Sequence, residues 1–156
     1  MPLKVGDPAP SFALYDTDRN LRSLSEFLGR TTLLAFIPGA FTSVCEKELC
    51  TFRDSISQFL DLKTHVVAIS VDAPFSNKAF TAKNALPFPL LSDFQREVIR
   101  RYDVVHVGLG GIEGYVSAKR SVFILDPNGI IRYIWIAEHP GVEPPYVEIK
   151  EFLQLL

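Results

Sequence analysis

Cysteine is scarce in this chain: 156 residues hold two, Cys45 and Cys50, five positions apart. A secreted disulfide framework uses more cysteines and spreads them to close long loops, so this pair points to chemistry rather than stapling. Cys-x-x-Cys is absent. Histidine is nearly as scarce; His65, His106 and His139 stand singly without zinc-ligand spacing to either cysteine, and neither metal nor other cofactor is expected. No window approaches the ~18 uninterrupted apolar residues of a membrane span, and Met1 to Pro10 has no apolar signal core, so a cytoplasmic protein is expected. There is no basic run and no acidic tail, and the formal net charge is −2, which leaves nucleic acid and anionic membrane without a footprint.

What is present is apolar: 47% of residues are hydrophobic, enough for one core, and no repeat or low-complexity linker divides residues 1–156, which are expected to form a single domain. Phe12-Ala-Leu-Tyr15 and Leu21-Arg22, across a turn-rich Asp16 to Asn20, predict a hairpin, and Ser25 to Gly29 a short helix. Thr31 to Ile37 reads as a buried strand stopped by Pro38-Gly39. A helix follows from Ser43 to Leu60, with Cys45, Leu49, Phe52, Ile56, Phe59 and Leu60 on its core face and Arg53, Asp54, Ser57 and Asp61 opposite. Val66 to Val71 is a second buried strand, Ser76 to Ala85 a helix capped by Ser76, Leu90 to Ser92 a short strand, and Phe94 to Tyr102 a helix. Val104 to Gly114 reads as irregular. Arg120 to Asp126 and Ile130 to Ile136 flank the turn Pro127-Asn-Gly129, and a helix from Tyr146 to Leu155 closes the chain. Parallel βαβ units followed by an antiparallel hairpin predict an α/β fold, a mixed central sheet flanked by helices in a thioredoxin-like layout.

Cys45 falls where a strand has ended, a loop has turned and a helix begins. Unpaired N–H groups and the positive end of the macrodipole favour a thiolate there, with a pKa below the ~8.5 of a free thiol. A small buried apolar residue on the core face fits the same position. Pro38-x-x-x-Thr42-x-x-Cys45 matches at every defining position the active-site signature of the peroxiredoxins, and Arg120-Ser-Val-Phe-Ile-Leu-Asp126 with Asn128-Gly129 resembles that family's later Arg-x-x-Phe strand and turn. The chain thus resembles a peroxiredoxin, of the bacterioferritin-comigratory type or the one-cysteine branch.

The resemblance implies a thiol-dependent peroxidase. Cys45 is the peroxidatic residue, oxidised by hydrogen peroxide or an organic hydroperoxide to a sulfenic acid. Thr42 hydrogen-bonds thiolate and peroxide besides its alternative as an N-cap, Arg120 stabilises developing negative charge, and Pro38 shields the sulfur from water. Glu48 is implied to orient an arginine, with a solvated helix-surface position as its alternative. Cys50 has the spacing of a resolving cysteine in some bacterioferritin-comigratory-type members, although an intact helix holds residues five apart ~140° from each other. Ala40-Phe41-Thr42 instead resembles the branch in which an external thiol resolves. The implied reductant is a thioredoxin, a glutaredoxin-like protein or a low-molecular-weight thiol, and a homodimer through Phe41, Phe75 or Phe88 is within the family's range.

The competing readings are a thiol-disulfide oxidoreductase, against which the missing Cys-x-x-Cys counts, and a non-enzymatic thiol-bearing binding or holdase domain. Gly108-Leu-Gly-Gly111 lacks the Lys-Ser/Thr of a phosphate loop, His106 reads as loop surface, and Tyr115 and Trp135 as core or interface.

Overall fold

Strand β3 (Thr31–Phe36) is two β-branched threonines followed by four apolar residues and is buried at every position but the first, which suits a strand covered on both faces. In the computed structural model, which describes residues 2–55 and 63–156, it lies near the centre of a seven-stranded sheet. Chain order runs β1 (Ala13–Tyr15), β2 (Leu21–Ser23), β3, helix α1 (Ser43–Asp54), β4 (Thr64–Ser70), α2 (Pro74–Asn84), β5 (Leu90–Ser92), α3 (Glu97–Arg101), β6 (Val105–Val107), β7 (Val116–Ala118), β8 (Ser121–Leu125), β9 (Ile131–Ile136) and α4 (Tyr146–Gln154). The large sheet has the order β2-β1-β5-β4-β3-β8-β9, with β3, β4 and β5 mutually parallel and the remaining pairs antiparallel.

Side chains alternate across this sheet and build two cores. Leu34, Phe36, Val67, Ile69 and Phe123 pack with Val98, Ile99 and Tyr102 on one face. Leu33, Ala35, Ile37, Val122 and Ile124 pack on the other with Cys45, Leu49 and Phe52 of α1, Phe80 of α2, and Ile149 and Leu153 of α4. Among the described residues no helix is long and apolar enough to cross a membrane.

The expected mixed sheet is present, and four local expectations are corrected. In place of a helix from Ser25 to Gly29 there is a single 310 turn, Leu24–Glu26, in which the Glu26 carboxylate accepts the Ser23 N–H at 3.0 Å. The second helix begins at Pro74, with Ala73 extended before it, so Ser76 lies inside the helix; proline at the first helical position loses no hydrogen bond and presets φ. The helix expected from Phe94 is confined to Glu97–Arg101, because the Asp93 carboxylate accepts the Val98 and Ile99 N–H groups at 3.2 and 2.9 Å and Arg96 turns left-handed (φ 61°). Val104 to Gly114 is less irregular than its glycines suggest: β6 pairs antiparallel with β7 in a separate two-stranded sheet, with a 310 turn at Leu109–Gly111. The first long helix is found over Ser43–Asp54; Ile56, Ser57, Phe59, Leu60 and Asp61 lie outside the described residues.

The β8–β9 turn is held by Asp126, whose Oδ1 accepts the N–H groups of Asn128 and Ile130 at 2.9 and 3.0 Å. Gly129 closes it at φ 81°, where an added Cβ would meet Leu28 Cδ1 at 3.1 Å. Gly129→Ala is therefore expected to lower stability by about 1–2 kcal/mol, read as a lower denaturant midpoint with an unchanged slope.

Candidate active site

Strand β3 delivers the chain at its carboxyl end to Ile37 and Pro38, both buried, and the loop then doubles back through Phe41 in the left-handed region at φ 65°. That turn is held from the neighbouring strand: Asp72, just past β4, accepts the Ala40 N–H on Oδ2 at 2.7 Å. Thr42 takes the N-cap position of α1 with extended backbone, and its carbonyl accepts the Glu46 N–H at 2.9 Å. Its hydroxyl donates to the Gly39 carbonyl at 2.9 Å and accepts no N–H from the helix, so the side-chain cap expected as an alternative is not made. The hydroxyl and the Gly39 backbone also interact with the Cys45 sulfur. Cys45 thus sits in the first turn of α1, fully buried.

Arg120 closes the site from the other side. It is 2% exposed, and Nη2 donates to Cys45 Sγ at 3.2 Å while Nη1 donates to Glu48 Oε2 at 2.6 Å. Nε and Nη2 also donate to the Pro140 carbonyl at 3.1 and 2.9 Å. The Pro140 segment is tied to α1 in turn, since Glu143 Oε2 pairs with Lys47 Nζ at 3.0 Å and Glu143 Oε1 accepts the Tyr146 hydroxyl at 2.8 Å. Glu48 lies on the buried face of α1 with Cys45 and Leu49, completely enclosed. The solvated alternative is thereby corrected: three residues beyond Cys45 a side chain lies over the same face.

Electrostatically the site opposes two effects. Burial pushes the Cys45 thiol above its ordinary range; the Arg120 charge, the Thr42 hydroxyl and the Gly39 backbone pull it down, and Glu48 adds to the rise. The helix N-terminus alone predicts a lowered value, but complete burial removes the water that would solvate a thiolate, and this outweighs it. Glu48 is pushed up to about 7 by the same desolvation, with Arg120 opposing. Its Oε1 accepts no hydrogen bond among the described residues. Below that value the guanidinium faces the sulfur uncompensated; above it a carboxylate shares the charge. Such a site can hold a buried thiolate and stabilise negative charge leaving it.

Comparison with known proteins fits this geometry. The model of the AhpC/TSA family matches residues 5–134. The chain belongs to the peroxiredoxins of that family. It is 38% identical over 130 residues to a protein of Oryza sativa subsp. japonica named peroxiredoxin Q, chloroplastic, covering 83% of this chain and 58% of that one. To peroxiredoxin Q of Populus jackii it is 36% identical over 151 residues, covering 97% and 67%. The crystal structure of the peroxidoxin BcpB from Mycobacterium tuberculosis superposes with a TM-score of 0.87 at 28% identity, covering 99% and 98%, which establishes the thioredoxin-like fold. The chain thus spans somewhat over half the length of the rice relative.

For a peroxiredoxin chain, the sequence brings the expected group together: Thr42, Cys45, Glu48 and Arg120 converge, with Pro38 buried at the base of the loop. Cys50 does not join them. It is half-buried with a free thiol that donates to Asn84 Oδ1 of α2 at 3.4 Å. His106 lines a cleft of about 160 Å³, together with Lys119, Glu138 and His139, that reaches Arg120. Pro140 and Asp72 were missed. Pro140 acts through its carbonyl, which no side chain advertises; Asp72 stands at the carboxyl end of a parallel strand beside the active loop, where sites in α/β sheets gather.

The Glu48 carboxyl makes two expected outcomes. Because its pKa in the folded chain, about 7, lies above its ordinary 4.5, the stability tied to the protonated form is complete below 4.5 and is lost as pH rises through 7. Denaturant midpoints from pH 4 to 8 should show that decline, and Glu48→Gln should remove this contribution. The same variant should lower the Cys45 midpoint in a pH titration of alkylation rate, since a negative charge near the sulfur is gone.

Proposed function

We propose that this chain is a thiol-dependent peroxidase acting from a single domain, with hydrogen peroxide and small organic hydroperoxides as substrates. The observation that carries the reading is the Arg120 Nη2 to Cys45 Sγ contact of 3.2 Å in a fully buried site. The Cys45 thiolate attacks one peroxide oxygen, a sulfur–oxygen bond forms as the O–O bond breaks, and water or an alcohol leaves with the proton. Cys45 ends as a sulfenic acid. A thiol whose pKa is raised ionises less, but its thiolate is intrinsically more nucleophilic, so burial costs population while sharpening attack. Arg120 serves both ends of the step: it holds the thiolate and meets the charge that develops on the leaving oxygen. Thr42 turns its hydroxyl from the Gly39 carbonyl toward the ionised sulfur or the peroxide. Pro38, with no N–H to attract water, keeps the loop side dry. Glu48 orients Arg120.

The sulfenic acid is returned to the thiol by a thioredoxin, glutaredoxin-like or low-molecular-weight thiol, after Cys50 has resolved it to an intramolecular disulfide. The spacing supports the Cys50 step, as does its free, half-buried thiol on the same helix. Two cysteines five positions apart, too few and too close for a stapling framework, suit a reducing compartment, and the cytoplasm remains the reading for this chain, while the rice and poplar relatives are named chloroplastic. Exposed Phe75 and Phe41 support a homodimer.

Cys45→Ser should abolish peroxide turnover in the presence of a reducing thiol; undiminished turnover overturns the assignment, and consumption that stops after one equivalent in the wild type favours a non-enzymatic thiol domain. Arg120→Met should slow Cys45 oxidation by roughly 100-fold, as loss of an oxyanion donor does, and raise the pH midpoint of Cys45 alkylation further. An unchanged midpoint would remove Arg120 from the site.

A further inference from the structure

Glu46, Cys50 and Arg53 lie at four- and three-residue spacing and so form one stripe of α1, distinct from the face that buries Cys45 and Glu48. All three meet the last turn of α2 at one residue. Asn84 Nδ2 donates to Glu46 Oε1 at 3.3 Å, Asn84 Oδ1 accepts from Cys50 Sγ at 3.4 Å, and the Asn84 carbonyl accepts from Arg53 Nη1 at 2.7 Å. Nδ2 also donates to the Phe80 carbonyl one turn back, at 3.1 Å, which fixes the amide so that its oxygen faces the thiol. The neighbouring residues of α2 extend the contact: Lys83 Nζ donates to Glu46 Oε1 at 2.8 Å and stands 5.7 Å from the Phe41 ring centroid, and the Phe41 ring meets Phe80 edge-on at 5.2 Å. The last turn of α2 therefore grips the active-site loop and three successive turns of α1.

We infer that Asn84 is a positioning residue that clasps the Cys50 side of α1 to α2 and so sets how fast Cys50 reaches the Cys45 sulfenic acid. The inference rests on the reading of Cys50 as the resolving cysteine. In an intact helix residues five apart are ~140° from each other, and their α-carbons stand beyond the ~7 Å that a disulfide tolerates. The early turns of α1 must open before the Cys50 thiolate attacks the Cys45 sulfur, forming the S–S bond and breaking the S–O bond, with hydroxide leaving and taking up the thiol proton as water. Peroxide has already supplied the oxidising equivalents. The Asn84 side-chain contacts to Glu46 and Cys50 lie on the segment that must open, and the bond to Cys50 exists only while that sulfur carries its proton, so the clasp loosens when the nucleophile forms. A tight clasp prolongs the sulfenic acid and exposes it to a second peroxide, which gives sulfinic acid and water; a loose one favours the bridge.

The test compares wild type with Asn84→Ala and Asn84→Asp in the full chain, the latter keeping an acceptor for Cys50 while repelling Glu46. Three rates are read: amide exchange across 43–53 in the reduced protein, oxidation of Cys45 by hydrogen peroxide, and appearance of the Cys45–Cys50 bridge by quenched mass analysis. Asn84→Ala should accelerate exchange and bridging by about tenfold, what a pair of ordinary side-chain hydrogen bonds is worth, leave Cys45 oxidation unchanged, and lower the sulfinic fraction at high peroxide; Asn84→Asp should fall between. A merely structural role would slow oxidation together with bridging and overturns the inference, as does exchange that stays at the wild-type rate. Faster exchange with no Cys45–Cys50 bridge in any of the three proteins also overturns it and locates the failure in the reading of Cys50 rather than in the clasp.

Discussion

A guanidinium cannot be buried to 2% exposure without partners on every side, and the site is organised by how Arg120 finds them. Taking such an ion out of water costs several kcal/mol even after relaxation, and only close geometry with satisfied donors repays it. Arg120 has a carboxylate, a sulfur and a carbonyl oxygen, contributed by two positions of α1 and by the segment after β9. One cation then faces two acids, and in a dry site it can support one buried anion far better than two. Burial is the main reason that Cys45 and Glu48 are both pushed upward although each touches a positive charge, and the Glu48 carboxylate adds to the rise at Cys45.

The sheet supplies the precision this needs. β8 runs antiparallel to β3 with Phe36 opposite Ser121, so Arg120 stands beside the end of β3 where the chain turns into the Pro38 loop. Arg120 shares its face with Val122 and Ile124, which pack in the same core as Cys45 and Leu49. A slip of one residue in this pairing would carry the guanidinium to the opposite face. α1 is held at the matching height by Leu49 and Phe52 in that core, with the Phe52 ring edge-on to Tyr146 at 5.6 Å.

Much of this was legible in the sequence because its signals are local. The strand run stopped at Pro38-Gly39, the Thr42 and Cys45 spacing and the Asn128-Gly129 turn each carry their geometry in a few residues. Arg120 was found through the family pattern alone; a lone arginine before a strand reads as surface, and only the pairing of β3 with β8 makes it a buried partner. Glu48 was half legible. Its distance from Cys45 puts it on the core face, yet a carboxylate is rarely buried unless paired, and its partner lies 72 positions away. The helix starts were misread where two local signals compete: proline at position 74 overrode the serine at 76, and the Asp93 carboxylate took up helix N–H groups that residues 94–96 would otherwise have left open. Asn84 carried no signal, because a polar residue near a helix end is ordinary until a second helix is laid across it.

The two cysteines put unequal demands on one helix, and the contacts on its two sides divide accordingly. The Cys45 face is anchored by Leu49 and Phe52, fully or almost fully buried, whose removal from the core would cost several kcal/mol. The Cys50 stripe is attached by polar bonds at partly exposed residues, each worth about 1 kcal/mol. Opening α1 from the Cys50 side while Phe52 stays packed is therefore much easier than lifting the whole helix. Of the two anchors Leu49 lies between the sulfurs and Phe52 seven residues beyond Cys45, about two turns, so loosening the turns that hold both sulfurs has to free Leu49 but leaves Phe52 in the core. A site rigid enough to bury a cation and a helix free enough to change shape can coexist because the first depends on apolar packing and the second on hydrogen bonds that water can replace.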